Sequence, residues 1–130
     1  MEPRILLYAL PPNEAAAVSA VCAAQGLSVY AVPPAQYGLP LEQAAGLVPA
    51  PHDAAPRRSE KLSPMLVCIW LPPDDRDRLL DALRRQGLAA DAYKAVLTAA
   101  NRRWDAFRLC RTLQTEHHSF HAQKGVIRHE

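Results

Sequence analysis

Lys94, Thr98 and Asn101 fall within one short string, KAVLTAANRRW, and their types and spacing suit the binding of an anion. Strand alternation puts Lys94, Val96 and Thr98 on one side of a strand. Helix spacing puts Thr98, Asn101 and Asp105 on one face of a helix that follows it. Free N–H groups at that helix start, the helix dipole and the Lys94 ammonium would together favour negative charge. A simpler reading gives the same residues structural work: Thr98 caps the helix, Asn101 supports the turn and Trp104 joins the core. Tyr37, in a proline-rich arm, is a further candidate ligand-binding residue.

His117 and His121, in the string HHSFH, share a helix face at a spacing that can bind Zn or Ni. Only Glu116 stands beside them as a further acid, so a solvated helix end competes with the metal reading. Arg102, Arg103, Arg108 and Arg111, with Arg57 and Arg58, could form a basic surface. The net charge of only +2 and the absence of glycine-containing aromatic motifs argue against nucleic acid as the partner. No Gly-rich phosphate loop, Cys-x-x-Cys, G-x-S-x-G or His-Glu-x-x-His occurs, so no cofactor is expected.

These residues must be positioned by a pattern that occurs twice. Leu10-Pro11-Pro12 returns as Leu71-Pro72-Pro73, 61 residues later, and Gln25-Gly26-Leu27 returns at the same offset as Gln86-Gly87-Leu88. Each copy reads as apolar strand, Pro-Pro break, helix, glycine stop and second strand. Ile5–Leu10 and Met65–Leu71 are apolar throughout, as expected for strands covered on both faces. Alternation along them gives one face of Ile5, Leu7, Ala9, Leu66, Cys68 and Trp70, and another of Leu6, Tyr8, Leu10, Val67, Ile69 and Leu71.

Asn13 is the expected cap of a helix over 14–25 that is Ala-rich, nearly uncharged and therefore expected to be mostly buried. The second helix, 74–86, is amphipathic, with Leu79, Leu80 and Leu83 inward. Its acids lead and Arg84 and Arg85 close it, which suits the dipole, and Asp74/Arg78 and Asp81/Arg85 are spaced for ion pairs. Short strands follow at 28–32 and 93–97. A last helix from Thr98 to about Phe120 buries Trp104, Phe107, Cys110 and Leu113. Most of the 12 prolines lie between Pro33 and Pro73, so the segment between the repeats reads as a mobile linker with a short helix at 41–47.

The expected organisation is a single α/β domain over 1–122: repeat one at 4–32, linker 33–63, repeat two 64–98, a C-terminal helix 99–121 and a flexible tail 123–130. Two tandem βαβ repeats would form one four-stranded sheet with helices on both faces. The alternative is a ferredoxin-like α+β sandwich, in which the units interleave and one sheet face needs the last helix or a partner to cover it. At 130 residues the chain is long enough to bury roughly two thirds of its unfolded surface. Three cysteines, Cys22, Cys68 and Cys110, sit within apolar segments, as buried reduced thiols would in a cytoplasmic protein. No apolar run approaches the roughly 20 residues of a membrane helix, so no membrane partner is expected.

Lys94-Ala95-Val96-Leu97-Thr98, Asn101 and Trp104 resemble a bacterial family, the domain of unknown function 3783, whose members carry a KAVLT..N..W signature after a βαβ unit. The LLY string near the start, Tyr37, Gly38, Pro40 and Leu41, and Pro64–Val67 extend the resemblance along the chain. Leu39 stands where the family often has Gln, and Ala99-Ala100 where it has Pro-Thr. The resemblance carries no activity.

The sequence therefore leads to a small cytoplasmic module without catalytic activity that binds a protein, possible partners being a second copy of itself, or a small anionic ligand. The alternative is an enzyme acting on a small phosphate- or carbonyl-containing substrate around Lys94, Thr98 and Asn101, with Lys94 as electrostatic clamp.

Overall fold

The computed structural model describes residues 2–47 and 61–116. In chain order they form β1 (Arg4–Tyr8), α1 (Pro12–Ala24), β2 (Ser28–Ala31), a 3₁₀ turn (Pro34–Gln36), α2 (Leu41–Ala44), β3 (Met65–Ile69), α3 (Pro73–Arg85) and β4 (Tyr93–Val96). A last helix, α4, is described over 106–116. The expected tail 123–130, residues 48–60 of the expected linker, Arg57, Arg58, His117 and His121 lie outside the described residues.

The sheet order is β2-β1-β3-β4. Within each half the two strands are parallel, and the halves meet antiparallel at β1 and β3. Leu6 pairs with Val67, its own counterpart 61 residues on, so a pseudo-two-fold axis passes through that pair. The carboxyl ends of β1 and β2 therefore lie at one pole of the molecule and those of β3 and β4 at the other.

Both α1 and α3 lie over one sheet face, against Ile5, Leu7, Leu66 and Cys68, with Val18, Cys22, Leu79 and Leu83 buried between. On the other face α2 and α4 cover Leu6, Tyr8, Met65, Val67 and Ile69 with Leu41, Ala106, Leu109 and Cys110. The sheet thus carries helices on both faces, its units side by side. The pairing of both repeat helices on one face, with the last helix closing the other, is the feature shared with the sandwich alternative.

Punctuation explains why the halves match. Pro11 and Pro72 stand at the helix N-caps with extended backbone, and the next proline occupies the first helical turn, where its missing N–H and fixed φ cost nothing. Pro11 O accepts from Ala15 N at 2.8 Å, and Pro72 O from Arg76 N at 2.9 Å. The prolines thus start the helices as well as ending the strands, and Asn13 lies inside α1 instead of capping it. At the far ends Gly26 (φ +73°) and Gly87 (φ +66°) take the left-handed conformation. Leu27 N then reaches Cys22 O, and Leu88 N reaches Leu83 O, both at 2.9 Å, closing the last carbonyls.

Several expectations need correction. The strand faces alternate as expected through Tyr8 and Ile69, but Leu10 and Leu71 pack on the α1/α3 side. Ala9 (φ +59°) and Trp70 (φ +55°) turn left-handed just before them and rotate the chain out of the pleat. Helix α1 is not mostly buried: only Val18, Val21 and Cys22 are, and Ala16, Ala20, Ala23 and Ala24 are exposed. Leu80 is only half-buried on α3. Arg78 pairs with Asp75 at 3.6 Å, not with Asp74, while Asp81 holds both Arg84 and Arg85.

Residues 33–47 are not a mobile linker. Leu39, Leu41, Ala44 and Ala45 are buried, Leu41 N and Glu42 N donate to Trp104 O and Arg102 O, and Arg4 donates to Ala45 O at the end of α2. The expected short helix at 41–47 is a single turn, Leu41–Ala44. The expected C-terminal helix does not begin at 99: residues 99–104 are turns and α4 starts at 106. Asp105, whose carboxylate accepts from Arg108 N at 2.8 Å, caps it in place of Thr98. Trp104 is half-buried at this corner, under the Arg108 guanidinium 4.3 Å from its ring centroid.

Candidate functional site

The KAVLT..N..W string forms a corner that carries the chain from β4, across the sheet end, to α4 on the opposite face. Asn101 is its hub and is buried. Its Oδ1 accepts from Thr98 N at 2.8 Å and its Nδ2 donates to Val96 O at 3.0 Å. Its backbone N donates to Thr98 Oγ1 at 3.2 Å. These bonds satisfy backbone groups that the strand end would otherwise leave bare, which needs an amide side chain with donor and acceptor at one position.

Lys94 lies apart from this corner. Four residues of extended strand, about 13 Å, separate it from Thr98, so the structure does not bring Lys94, Thr98 and Asn101 into one site. Lys94 is exposed by area, yet its ammonium folds back onto Ala89 O. Partial desolvation there lowers its pKa below the ordinary lysine value, while Asp91 and Glu14 oppose that shift. It borders two shallow grooves, of about 590 and 360 Å³, one with Asp91, Tyr93 and Glu116, the other with Leu80, Leu83 and Arg84. The acids of the first groove compete for the ammonium, so that groove makes no anion pocket.

Tyr37 sits at the carboxyl end of β1. Its hydroxyl accepts from Ala9 N at 3.1 Å, and its ring lies 5.7 Å from Tyr8 and 6.3 Å from Phe107, centroid to centroid. It plugs this pole from within and lines neither Lys94 groove. Burial raises the pKa of the neighbouring Tyr8 and keeps that phenol neutral. The thiols behave alike: Cys22, Cys68 and Cys110 are free and buried, and burial pushes Cys22 up to about 11 and raises Cys68, so neither is an activated nucleophile. Among the described residues no group of three His, Cys, Asp or Glu side chains is placed to hold a metal ion. His117 and His121 fall beyond them.

At the opposite pole the carboxyl ends of β3 and β4 open into a groove of about 380 Å³ lined by Glu42, Trp70, Leu97, Thr98 and Arg102 among others. Trp70 is 41 % exposed, the most open large apolar residue among the described residues. Of this set only Thr98 was among the sequence candidates for ligand binding. Trp70 lies at the 61-residue offset from Ala9, and Arg102 follows Val96 by six residues, as Tyr37 follows Ala31.

Residues 76–120, from α3 through α4, match the model of the domain of unknown function (DUF3783). The DUF3783 match contains the whole corner that turns the chain at the end of β4. The LLY string, Tyr37–Leu41 and Pro64–Val67 lie outside the matched residues. No curated protein and no solved structure matches the chain. Among the described residues no helix is long and apolar enough to cross a membrane.

Proposed function

We propose that this protein is a non-catalytic interaction module that binds a second copy of itself through the outer surface of its first half. One observation carries the reading: no Asp, Glu, Lys, Arg or His occurs between Glu14 and Glu42. That stretch contains the exposed alanines of α1, 16, 20, 23 and 24, and the edge strand β2, where Tyr30 is 37 % exposed. A solvated helix normally carries charge on its outer face, and α3 does.

A two-fold interface sets each residue patch against itself, so like charges would face one another; an uncharged patch suits that symmetry. The open edge of β2 adds directionality. Val32 N donates to Leu7 O, so Tyr30 and Val32 point their backbone groups at β1, and Val29 and Ala31 point theirs outward. Antiparallel pairing of two such edges would join the sheets of two copies. The buried free thiols fit a reducing, cytoplasmic setting, and the family resemblance a bacterial one.

The enzyme reading around Lys94, Thr98 and Asn101 has less support, since Lys94 stands apart and Asn101 spends its donors and acceptor on the backbone. Light-scattering mass at rising concentration tests the proposal. Twice the chain mass is expected, falling to the monomer in Ala20→Glu, Tyr30→Lys and Ala31→Pro, the last of which removes an outward N–H without touching the β1 ladder. A wild-type protein that stays monomeric at high concentration overturns it.

A further inference from the structure

We infer that the groove at the carboxyl ends of β3 and β4 binds a small aromatic carboxylate. The pseudo-two-fold axis lets one pole serve as a template for the other. At the first pole Tyr8 directs its carbonyl toward β3, so the N–H of Ala9 points to the β2 side, where Tyr37 Oη accepts it at 3.1 Å. At the second pole Ile69 directs its carbonyl toward β1, so the N–H of Trp70 points to the β4 side, into the groove. Counted from the end of the preceding strand, the position of Tyr37 falls to Arg102, and a guanidinium accepts no hydrogen bond. Among the described residues the Trp70 N–H has no acceptor. The second pole thus repeats the turn of the first without its plug.

Three donors face the space left open. Besides the Trp70 N–H, Arg102 lines the groove with its side chain half exposed. Thr98 lines it as well; its oxygen already accepts from Asn101 N, which leaves its proton to give. Glu42 is the competing anion, but it stands 3.8 Å from Arg102 Nε, longer than a hydrogen bond, so the fork of the guanidinium keeps donors to offer.

A planar monoanion matches that fork, whereas a dianion would meet Glu42 at close range. The exposed Trp70 indole supplies a flat wall for a ring, as Tyr37 supplies the ring at the other pole. A groove of about 380 Å³ is in the range for a small ligand. The site keeps Thr98 from the sequence candidates and moves the anion away from Lys94.

Titration of the full chain with benzoate, followed on the Trp70 backbone amide by proton–nitrogen NMR, tests the inference. A saturable downfield shift of that amide proton is expected. Arg102→Gln should weaken binding about tenfold, and neutral benzamide should bind about tenfold more weakly than benzoate. Glu42→Gln should tighten it severalfold, and Lys94→Ala should leave it unchanged. A Trp70 amide that benzoate does not move, equal binding of benzoate and benzamide, or unaltered affinity in a folded Arg102→Gln variant overturns the site. None of these outcomes depends on whether β2 joins two copies.

Discussion

Helices α1 and α3 start on the same Pro-Pro pair, run for 13 residues and stop on the same left-handed glycine, yet they share almost nothing on their outer faces. Outside its first turn α1 presents alanine and no charge. Helix α3 presents Asp74, Asp75, Arg76, Asp77, Arg78, Asp81, Arg84 and Arg85. The same contrast holds at the poles, where one half is plugged by Tyr37 and the other is open beside Trp70 and Arg102. Punctuation and inward residues are thus all that the fold requires to be alike in its two halves. The solvent-facing positions are left to diverge, and the two halves have taken opposite surfaces.

The sharpest way to break this comparison is at its centre. Leu6 is fully buried where the halves cross, and Leu6→Ala should lower unfolding free energy by about 3 kcal/mol in a denaturant titration. Val67→Ala, its counterpart, removes fewer atoms and should cost less. A Leu6→Ala loss no larger than that of a surface substitution would mean that the central ladder does not hold the halves together.

Asn101→Ala comes next, at about 2 kcal/mol, because it strands Thr98 N and Val96 O at a part-buried corner. Gln36→Ala, at the matching place in the first half, removes a single exposed contact with Tyr30 and should be nearly silent. Equal losses would contradict the corner role. Gly26→Ala and Gly87→Ala should each cost about 1 kcal/mol through backbone strain alone, since a Cβ at either position meets nothing within 4 Å. Unequal costs would show that the two stops are not equivalent.

The smallest effect belongs to Asp81. Its carboxyl is held below the usual carboxylate range chiefly by the hydrogen bond from Arg84, then by that from Arg85. With the folded pKa depressed, its contribution is present above the unfolded value near 4 and is lost as pH falls through the folded value. Asp81→Asn should therefore flatten the acid limb of the stability profile slightly and leave the neutral midpoint nearly unchanged, as expected for an exposed pair.

The repeated Leu-Pro-Pro and Gln-Gly-Leu strings made the four-stranded plan, both long helices and the faces of β1 and β3 legible, because they act through local backbone chemistry. Two things were not legible. The antiparallel meeting of the halves depends on which apolar strand finds which, and Ile5–Tyr8 and Met65–Ile69 carry no polar residue to mark direction. The corner after β4 was hidden because Thr98 is a good cap by type. The capping role went to Asp105 once Asn101 had tied Thr98 to the strand end. Of the candidate site, Lys94 and Thr98 looked adjacent because they are close in sequence, while an extended strand spends that closeness as distance. Trp70 reads as a strand residue by type, but like its counterpart Ala9 it turns left-handed and leaves the pleat.

The crossing of Leu6 with Val67 has a consequence for the halves taken singly. Severed from its companion, either half would end its sheet in a strand that is apolar but for Arg4 of β1, with every outward backbone group unpaired. Two identical halves would cover that strand by meeting across it, in the geometry that one covalent chain now holds. The present ladder is what the seam of a half-length homodimer would look like after its two subunits had been spliced end to end.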